Sequence, residues 1–325
     1  MLNWLHTAYF ELLKHRGTMH HALLMYGTSK VGQFELAQYV AQALLCQTPT
    51  EQGGFCNNCQ SCHLFKQHSH PDFRLVLPDH LAAQNNLETD DSKKDDSKKS
   101  LSQEIRLDNL AGLTHFVYTS PHQAICRVVI VYPADRLNIF AANALLKLLE
   151  EPSADTYFLL VADQIDEVLP TIKSRSRYHP VKAPSAEEGI AWLMQQAQIS
   201  QTKAMELWQL SGGAPFLALD FANQDFNYAQ FGYYLKHEPS QLSVLGLPGF
   251  CQLLQRWLYD VVLLKLTGSA HFFTNCAIMR NYCAISSLNE LLSRQEQIKK
   301  YLRYGNHPLH PQLQMEKIIH DLHLV

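Results

Sequence analysis

Four cysteines and two glycines are the residues whose spacing carries chemistry. Cys56-x-x-Cys59-x-x-Cys62 sets three thiols within seven residues, and Cys46 lies ten residues upstream of the first. Thiolates suit tetrahedral zinc, and the metal's charge favours their deprotonation at neutral pH. A closed four-sulfur shell leaves no position for water, so such a site is structural. The fourth ligand is Cys46 or one of His63, His68 and His70, although adjacency to Cys62 strains chelation by His63. Cys126, Cys251, Cys276 and Cys283 lack metal spacing and read as packing residues. A zinc module of this size also fits a DNA-binding finger, but Gln47 to Phe55 holds no basic residue to meet a phosphate.

The glycines belong to Gly27-Thr28-Ser29-Lys30-Val31-Gly32-Gln33-Phe34, which keeps the G-x-x-x-x-G-K-[ST] frame of a phosphate-binding loop without its last two residues. In a working loop the lysine neutralises the β- and γ-phosphates and the hydroxyl holds Mg²⁺. Gln33 carries no charge, and Phe34 has no oxygen. Lys30 sits on the loop itself, away from the helix start from which the usual lysine reaches inward. The second element that hydrolysis needs is altered too. A strand over Val128 to Val131 ends in Tyr132-Pro133, which can neither hold a metal nor abstract a proton, and the nearest acid, Asp135, lies three residues beyond Tyr132.

The elements that must position these residues follow from the pattern of apolar runs. Ala22 to Tyr26 is short enough for a buried strand and leads straight into the loop. Leu36, Val40 and Leu44 then recur at helical spacing beside Ala37 and Ala41. Further strands are expected over Phe73 to Leu77, Val128 to Tyr132 and Tyr157 to Ala162, and the clearest helix over Ile139 to Glu151. Such alternation predicts a parallel α/β sheet. Between residues 81 and 100 the pattern gives way to polar sequence with a tandem repeat, Asp-Asp-Ser-Lys-Lys at 90–94 and again at 95–99, read as a solvated, mobile insertion. Beyond Pro184 the sequence is helical. A small unit ends in Ser211-Gly212-Gly213-Ala214-Pro215, a helix stop followed by a fresh start. Longer helices follow, with Phe250, Leu254, Trp257, Val261 and Leu264 on one apolar stripe and Leu288, Leu291, Leu292, Ile298 and Leu302 on another.

The chain of 325 residues has room for two or three domains, and its formal charge of −3 gives no global basic field for nucleic acid. Eight cysteines, three of them clustered, fit a reducing compartment with a metal site better than a disulfide framework. With no apolar run of membrane-spanning length and no signal-peptide pattern at Met1 to Arg16, a cytoplasmic location without membrane contact is expected.

Asp135-Arg136-Leu137, the block Asn143-Ala144-Leu145-Leu146-Lys147-Leu148-Leu149-Glu150-Glu151-Pro152 and the stretch Thr171 to Arg177 together carry a family resemblance. The asparagine-to-proline block resembles the clamp-loader branch of the AAA+ ATPases. Ser174-Arg175-Ser176 resembles that branch's Ser-Arg-Cys motif, with Ser176 in place of the cysteine. His21 to Leu24, the cysteine cluster, His70-Pro71-Asp72 and the Ser211 to Pro215 segment extend the likeness over most of residues 1–220. It implies an α/β AAA+ P-loop domain over 1–183, a parallel sheet carrying a zinc module at about 46–62 and the insertion at about 81–100. A small helical lid domain over 184–223 and an all-α C-terminal collar domain over 224–325 complete the expectation.

The resemblance favours Cys46 as the fourth zinc ligand. It also implies that Arg175 reaches in trans into a neighbour's ATP site, and that the partners are gamma/tau ATPase and delta subunits, with the sliding clamp and primer-template DNA engaged through the complex. An altered loop at Gly27, Gly32, Gln33 and Phe34, paired with an altered acidic element at Tyr132, Pro133 and Asp135, resembles the branch's non-hydrolysing subunits. No productive ATP binding in cis is then expected, and any link to nucleotidyl transfer comes through membership of a polymerase holoenzyme. The alternatives are a clamp-loader ATPase working through an atypical loop and a free-standing zinc-dependent DNA-binding module.

Overall fold

Parallel strands buried on both faces need apolar residues at nearly every position, and three runs of this chain meet that demand. The structure, a computed structural model, describes residues 1–84, 102–274, 277–303 and 311–322. It divides into two compact units, Met1–Glu188 and Gly189–Val325.

The first unit contains, in chain order, α1 (His6–Lys14), β1 (Ala22–Tyr26), α2 (Gln33–Leu45), α3 (Gln60–Lys66), β2 (Phe73–Val76), α4 (Asp79–Gln84), α5 (Leu113–Tyr118), β3 (Arg127–Val131), α6 (Ile139–Glu150), β4 (Thr156–Ala162), α7 (Pro170–Lys173) and β5 (Arg177–Pro180). The five strands form one parallel sheet in the order β2-β3-β4-β1-β5. Alternate residues of the central strands feed opposite cores. Leu23, Met25, Val128, Ile130, Leu159 and Val161 pack with Leu36, Val40 and Leu44 of α2 and with Tyr9 and Leu13 of α1. Ala22, Leu24, Val129, Val131, Phe158 and Leu160 pack on the other side with Phe116 of α5 and with Leu145 and Leu148 of α6. The edge strand β5 is absent from the sequence expectation because it has no apolar run. Arg177, Tyr178 and Pro180 are exposed, and pairing with β1 from Leu23↔Arg177 to Tyr26↔Pro180 is what makes the segment a strand.

The polar stretch starts later than expected, because residues 81–84 complete α4; residues 85–100 lie outside the described residues, as does Cys276. His70-Pro71-Asp72 proves to be a pin for irregular backbone. The buried Asp72 carboxylate accepts the amides of His122, Gln123 and Ala124 at 2.6, 2.7 and 2.8 Å, fixing the turn that leads into β3. The Asp72 amide donates to His70 Nδ1 at 3.0 Å, which leaves His70 Nε2 to donate to the Ser61 hydroxyl at 2.6 Å. That hydroxyl in turn donates to the Leu45 carbonyl at 2.6 Å.

The second unit is helical. Helix α8 (Ala186–Ala197) contains the boundary in its first turn, and α9 (Gln201–Ser211), α10 (Pro215–Asn223), α11 (Phe231–His237), α12 (Gly246–Thr267), α13 (Ala277–Ile285), α14 (Leu288–Arg303) and α15 (Pro311–Asp321) lie inside the second unit. Helix α9 stops at Ser211 and α10 restarts at Pro215. Phe250, Leu254, Trp257, Val261 and Leu264 of α12 are all buried and share one core with Leu207, Phe231 and Ile318. On α14 the stripe is narrower than expected: Leu291 and Ile298 are buried, but Leu292 is exposed.

Burial alone would raise the Asp72 carboxyl, but the amides of Ala124, His122 and Gln123 outweigh it and hold Asp72 below the usual carboxylate range. Burial likewise lowers the His70 imidazole below its ordinary 6.5, against the pull of the Asp72 charge. Both folded-state values are depressed, so both contributions are complete above the ordinary values and are lost on acidification: His70's from about pH 6.5 downward, and Asp72's from about pH 4 downward. Asp72→Asn should destabilise the chain at pH 7 by about 1 to 3 kcal/mol, because an amide cannot accept all three backbone N–H groups. Denaturant midpoints measured from pH 4 to 8 check both statements, and an unchanged midpoint for Asp72→Asn would remove the pin from the account.

Candidate functional site

In a parallel sheet all strands end on the same edge, and crevices at their carboxyl ends are where ligands bind in open α/β folds. Here the loop after β1 and the residues following β3 and β4 come together on that edge. Gly27 is required by close approach, since a Cβ there would lie 2.7 Å from the Val181 carbonyl oxygen. Gly32 takes φ +111° as the N-cap of α2, a conformation that favours glycine. Lys30 also has a positive φ, +66°, and lies exposed on the loop.

Inside this frame the Gln33 side chain is buried, 2% exposed, and turned back into its own loop. Its Oε1 accepts the Val31 amide at 3.3 Å. Its Nε2 donates to the Thr28 carbonyl at 3.3 Å and to Asp163 Oδ1 at 2.7 Å. Backbone N–H groups of such a loop are the ones that cradle phosphate, and here an amide oxygen engages one of them from within. Phe34 stacks on Tyr132, with ring centroids 4.7 Å apart and planes 23° apart. The Tyr132 hydroxyl donates to Asp163 Oδ2 at 3.3 Å, and the Asp163 amide donates to Asp135 Oδ1 at 2.8 Å. Pro133, joined to Tyr132 by a cis peptide, is buried. Gly27, Gly32, Gln33, Phe34, Tyr132, Pro133 and Asp135 therefore form one neighbourhood.

Asp163 is its hub, a role the sequence did not disclose; the only signal was its position directly after a buried strand. Burial raises the Asp163 carboxyl above the usual range, against hydrogen bonds from Ser29, Tyr132 and Gln33 and the charge of Lys30. Burial also raises Asp135, although the Asp163 amide opposes it, and raises Glu35 on the first turn of α2. A triphosphate placed beside these carboxyls would oppose their ionisation further, since its charge is of the same sign.

The cysteine cluster forms a second neighbourhood. Sγ atoms of Cys46, Cys56, Cys59 and Cys62 all lie within 4.8 Å of one another, with Cys46 to Cys59 at 3.9 Å and Cys56 to Cys62 at 4.0 Å. A tetrahedral four-sulfur shell with metal-to-sulfur bonds of about 2.3 Å places its sulfurs about 3.8 Å apart. The set is therefore placed to hold a metal ion. Amides of Cys56, Asn58, Cys59 and Cys62 point at these sulfurs from 3.3 to 3.4 Å, and the Thr48 hydroxyl donates to Cys56 at 3.1 Å. The Thr48 bond, helped by the Asn58 and Cys59 amides, lowers the Cys56 thiol to about 5. His63, His68 and His70 stand outside the group, and both ring nitrogens of His70 are engaged elsewhere.

Arg175 lies apart from the loop neighbourhood, in the turn between α7 and β5. Its Nη1 donates to the Thr171 carbonyl and the Ser174 hydroxyl, each at 3.1 Å, and its Nη2 pairs with Glu150 Oε1. Ser176 donates from its hydroxyl to the Ile172 carbonyl at 2.9 Å, so this small residue serves the packing of the turn.

A doubly covered parallel sheet here carries, on one unit, a phosphate-loop frame closed by its own side chains and a four-cysteine cluster placed to hold a metal ion. The family described as DNA polymerase III, delta subunit, matches residues 6–184, and the chain belongs to it. DNA polymerase III subunit delta' of Pseudomonas aeruginosa is 36% identical over 199 residues, covering 61% of this chain and 54% of that protein. Its namesakes from Haemophilus influenzae and Escherichia coli are 31% and 32% identical, covering 69% and 62% of this chain and 62% and 54% of theirs. The matched portion thus spans little more than half the length of these relatives. A DNA polymerase III, gamma subunit-related protein from Thermotoga maritima aligns over 97% of this chain and 98% of its own at 15% identity and a TM-score of 0.44, too distant a likeness to bear on function.

Gln33→Ala removes the amide that satisfies a buried carboxylate, and should lower stability by about 1 to 3 kcal/mol. Chemical denaturation reads this directly, and an unshifted midpoint would mean that the Gln33 to Asp163 bond does not hold the loop closed.

Proposed function

We propose that this chain is a non-hydrolysing, delta-prime-type AAA+ subunit of a DNA polymerase III clamp loader. It organises gamma/tau ATPase and delta partners and donates Arg175 to a neighbour's ATP site. The observation that carries the reading is Gln33: a neutral side chain fills the loop where a lysine would meet phosphate, bonded to a carboxylate that phosphate would repel. Phe34 and Tyr132 offer a stacked aromatic pair in place of the Mg²⁺ ligands. Family membership and the names of the relatives support a place in DNA polymerase III. An arginine suits the donated role because its planar guanidinium is always charged and meets phosphate oxygens in fork geometry. The lid over 184–223 and the collar over 224–325, a cytoplasmic setting, and contact with the sliding clamp and primer-template DNA through the complex belong to the same proposal.

Zinc is the ion that four thiolates at these separations fit best. Cys46, Cys56, Cys59 and Cys62 would hold it, and when bound it crosslinks the end of α2 to the start of α3. Protein purified without added metal should contain one zinc per chain by elemental analysis, and Cys59→Ser should lose it and unfold the 46–62 segment, since structural zinc contributes about 10 kcal/mol or more in small modules. Metal-free protein of unchanged stability would overturn the assignment.

In the reconstituted complex, Arg175→Ala should lower DNA-stimulated ATP turnover at the adjoining site by about tenfold or more, since a finger supplied in trans contributes about 10³ to 10⁵ in related NTPases. Assembly should persist, measured by gel filtration, and the isolated chain should show no turnover. Turnover by the isolated chain would favour an active ATPase, and failure to associate with gamma/tau a free-standing module.

A further inference from the structure

The Arg175 guanidinium is gripped from two directions within its own chain. Bonds to the Thr171 carbonyl and the Ser174 hydroxyl come from its own turn and fold the side chain back along α7. Glu150 comes from elsewhere, as the last residue of α6. Both supports are themselves tied down. His21 Nε2 meets the Leu149 carbonyl at 2.9 Å, and the Tyr118 hydroxyl donates to the Glu151 carbonyl at 3.4 Å, holding the end of α6. On the other side, the Arg175 amide donates to the Ile172 carbonyl at 3.2 Å, and the Ser176 hydroxyl donates to the same carbonyl.

We propose that Glu150 is a positioning residue for Arg175, holding the guanidinium in one orientation for an anion presented by a partner chain. This rests on the reading of Arg175 as a donated finger. An arginine side chain carries about 2 kcal/mol of rotamer entropy, which a catalytic contact must otherwise overcome. Of its five N–H donors, the three contacts within the chain occupy three, so two remain to face phosphate oxygens. The pair is open to solvent, with side chains 35% and 47% exposed, so it biases the rotamer without competing against a metal-bound triphosphate.

The test is a double-mutant cycle in the complex reconstituted with the cognate subunits. Glu150→Ala should lower the DNA-stimulated kcat about two- to fivefold, the range a partly exposed ion pair allows. KM for ATP and the melting temperature of the isolated chain should stay unchanged, and Glu150→Asp should recover part of the rate. In an Arg175→Ala background Glu150→Ala should have no further effect, because it acts only through the arginine. Equal losses in both backgrounds, or a rate at or above wild type for Glu150→Ala, would overturn the positioning role while leaving the finger in place. An Arg175→Ala complex with unimpaired turnover would overturn both.

Discussion

Burial of a parallel sheet on both faces is the constraint on which the rest of the first unit depends. Because β1, β3 and β4 are adjacent and parallel, the residues that follow them are delivered to one edge, whatever their chemistry. That delivery brings Gln33, Tyr132, Asp135 and Asp163 into contact across more than a hundred residues of chain. In an active nucleotide site the same edge presents a cation and a metal ligand to phosphate. Here it presents an amide, a phenol and two carboxylates raised by burial, and these satisfy one another.

Self-satisfaction lets a loop of this frame keep its shape without a phosphate to bind its amides. A loop whose amides pointed at an absent phosphate would leave buried donors unpaired, each a loss of about 1 to 3 kcal/mol. Gln33 removes part of that penalty by supplying an internal acceptor for Val31 and a donor for Asp163, while Phe34 fills volume against Tyr132. The glycines persist for backbone reasons independent of ligand: Gly27 because of the Val181 carbonyl, Gly32 because of its φ.

One device recurs in both units. Asp72 gathers three consecutive amides, of His122, Gln123 and Ala124, and the fully buried Asp260 of α12 gathers those of His271, Phe272 and Phe273 at 2.9, 2.8 and 2.8 Å. A carboxylate has enough lone pairs to serve three N–H groups, so one side chain can organise a turn that no regular element satisfies. In the His70-Pro71-Asp72 segment this work falls to Asp72, whose own amide is held by His70.

The amino-acid sequence alone determined the central strands, the long helices and the cysteine spacing, because apolar periodicity and local ligand spacing are one-dimensional signals. It also determined what the loop lacks, since Gln33 and Phe34 cannot become a lysine and a hydroxyl in any fold. Only the tertiary structure decided that β5 is a strand, because pairing with β1 is its sole cause, and that α14's stripe leaves Leu292 exposed. It brought Cys46, already favoured by the resemblance, into the sulfur cluster, and it alone turned His70 to Ser61 and Asp72. It also made Asp163 the hub of the closed loop and Glu150 the partner of Arg175. The pairing of β5 with β1, the bond of Gln33 to Asp163 and the pairing of Glu150 with Arg175 join residues far apart in the chain, set by the geometry of sheet edges and helix ends, and no local pattern encodes them.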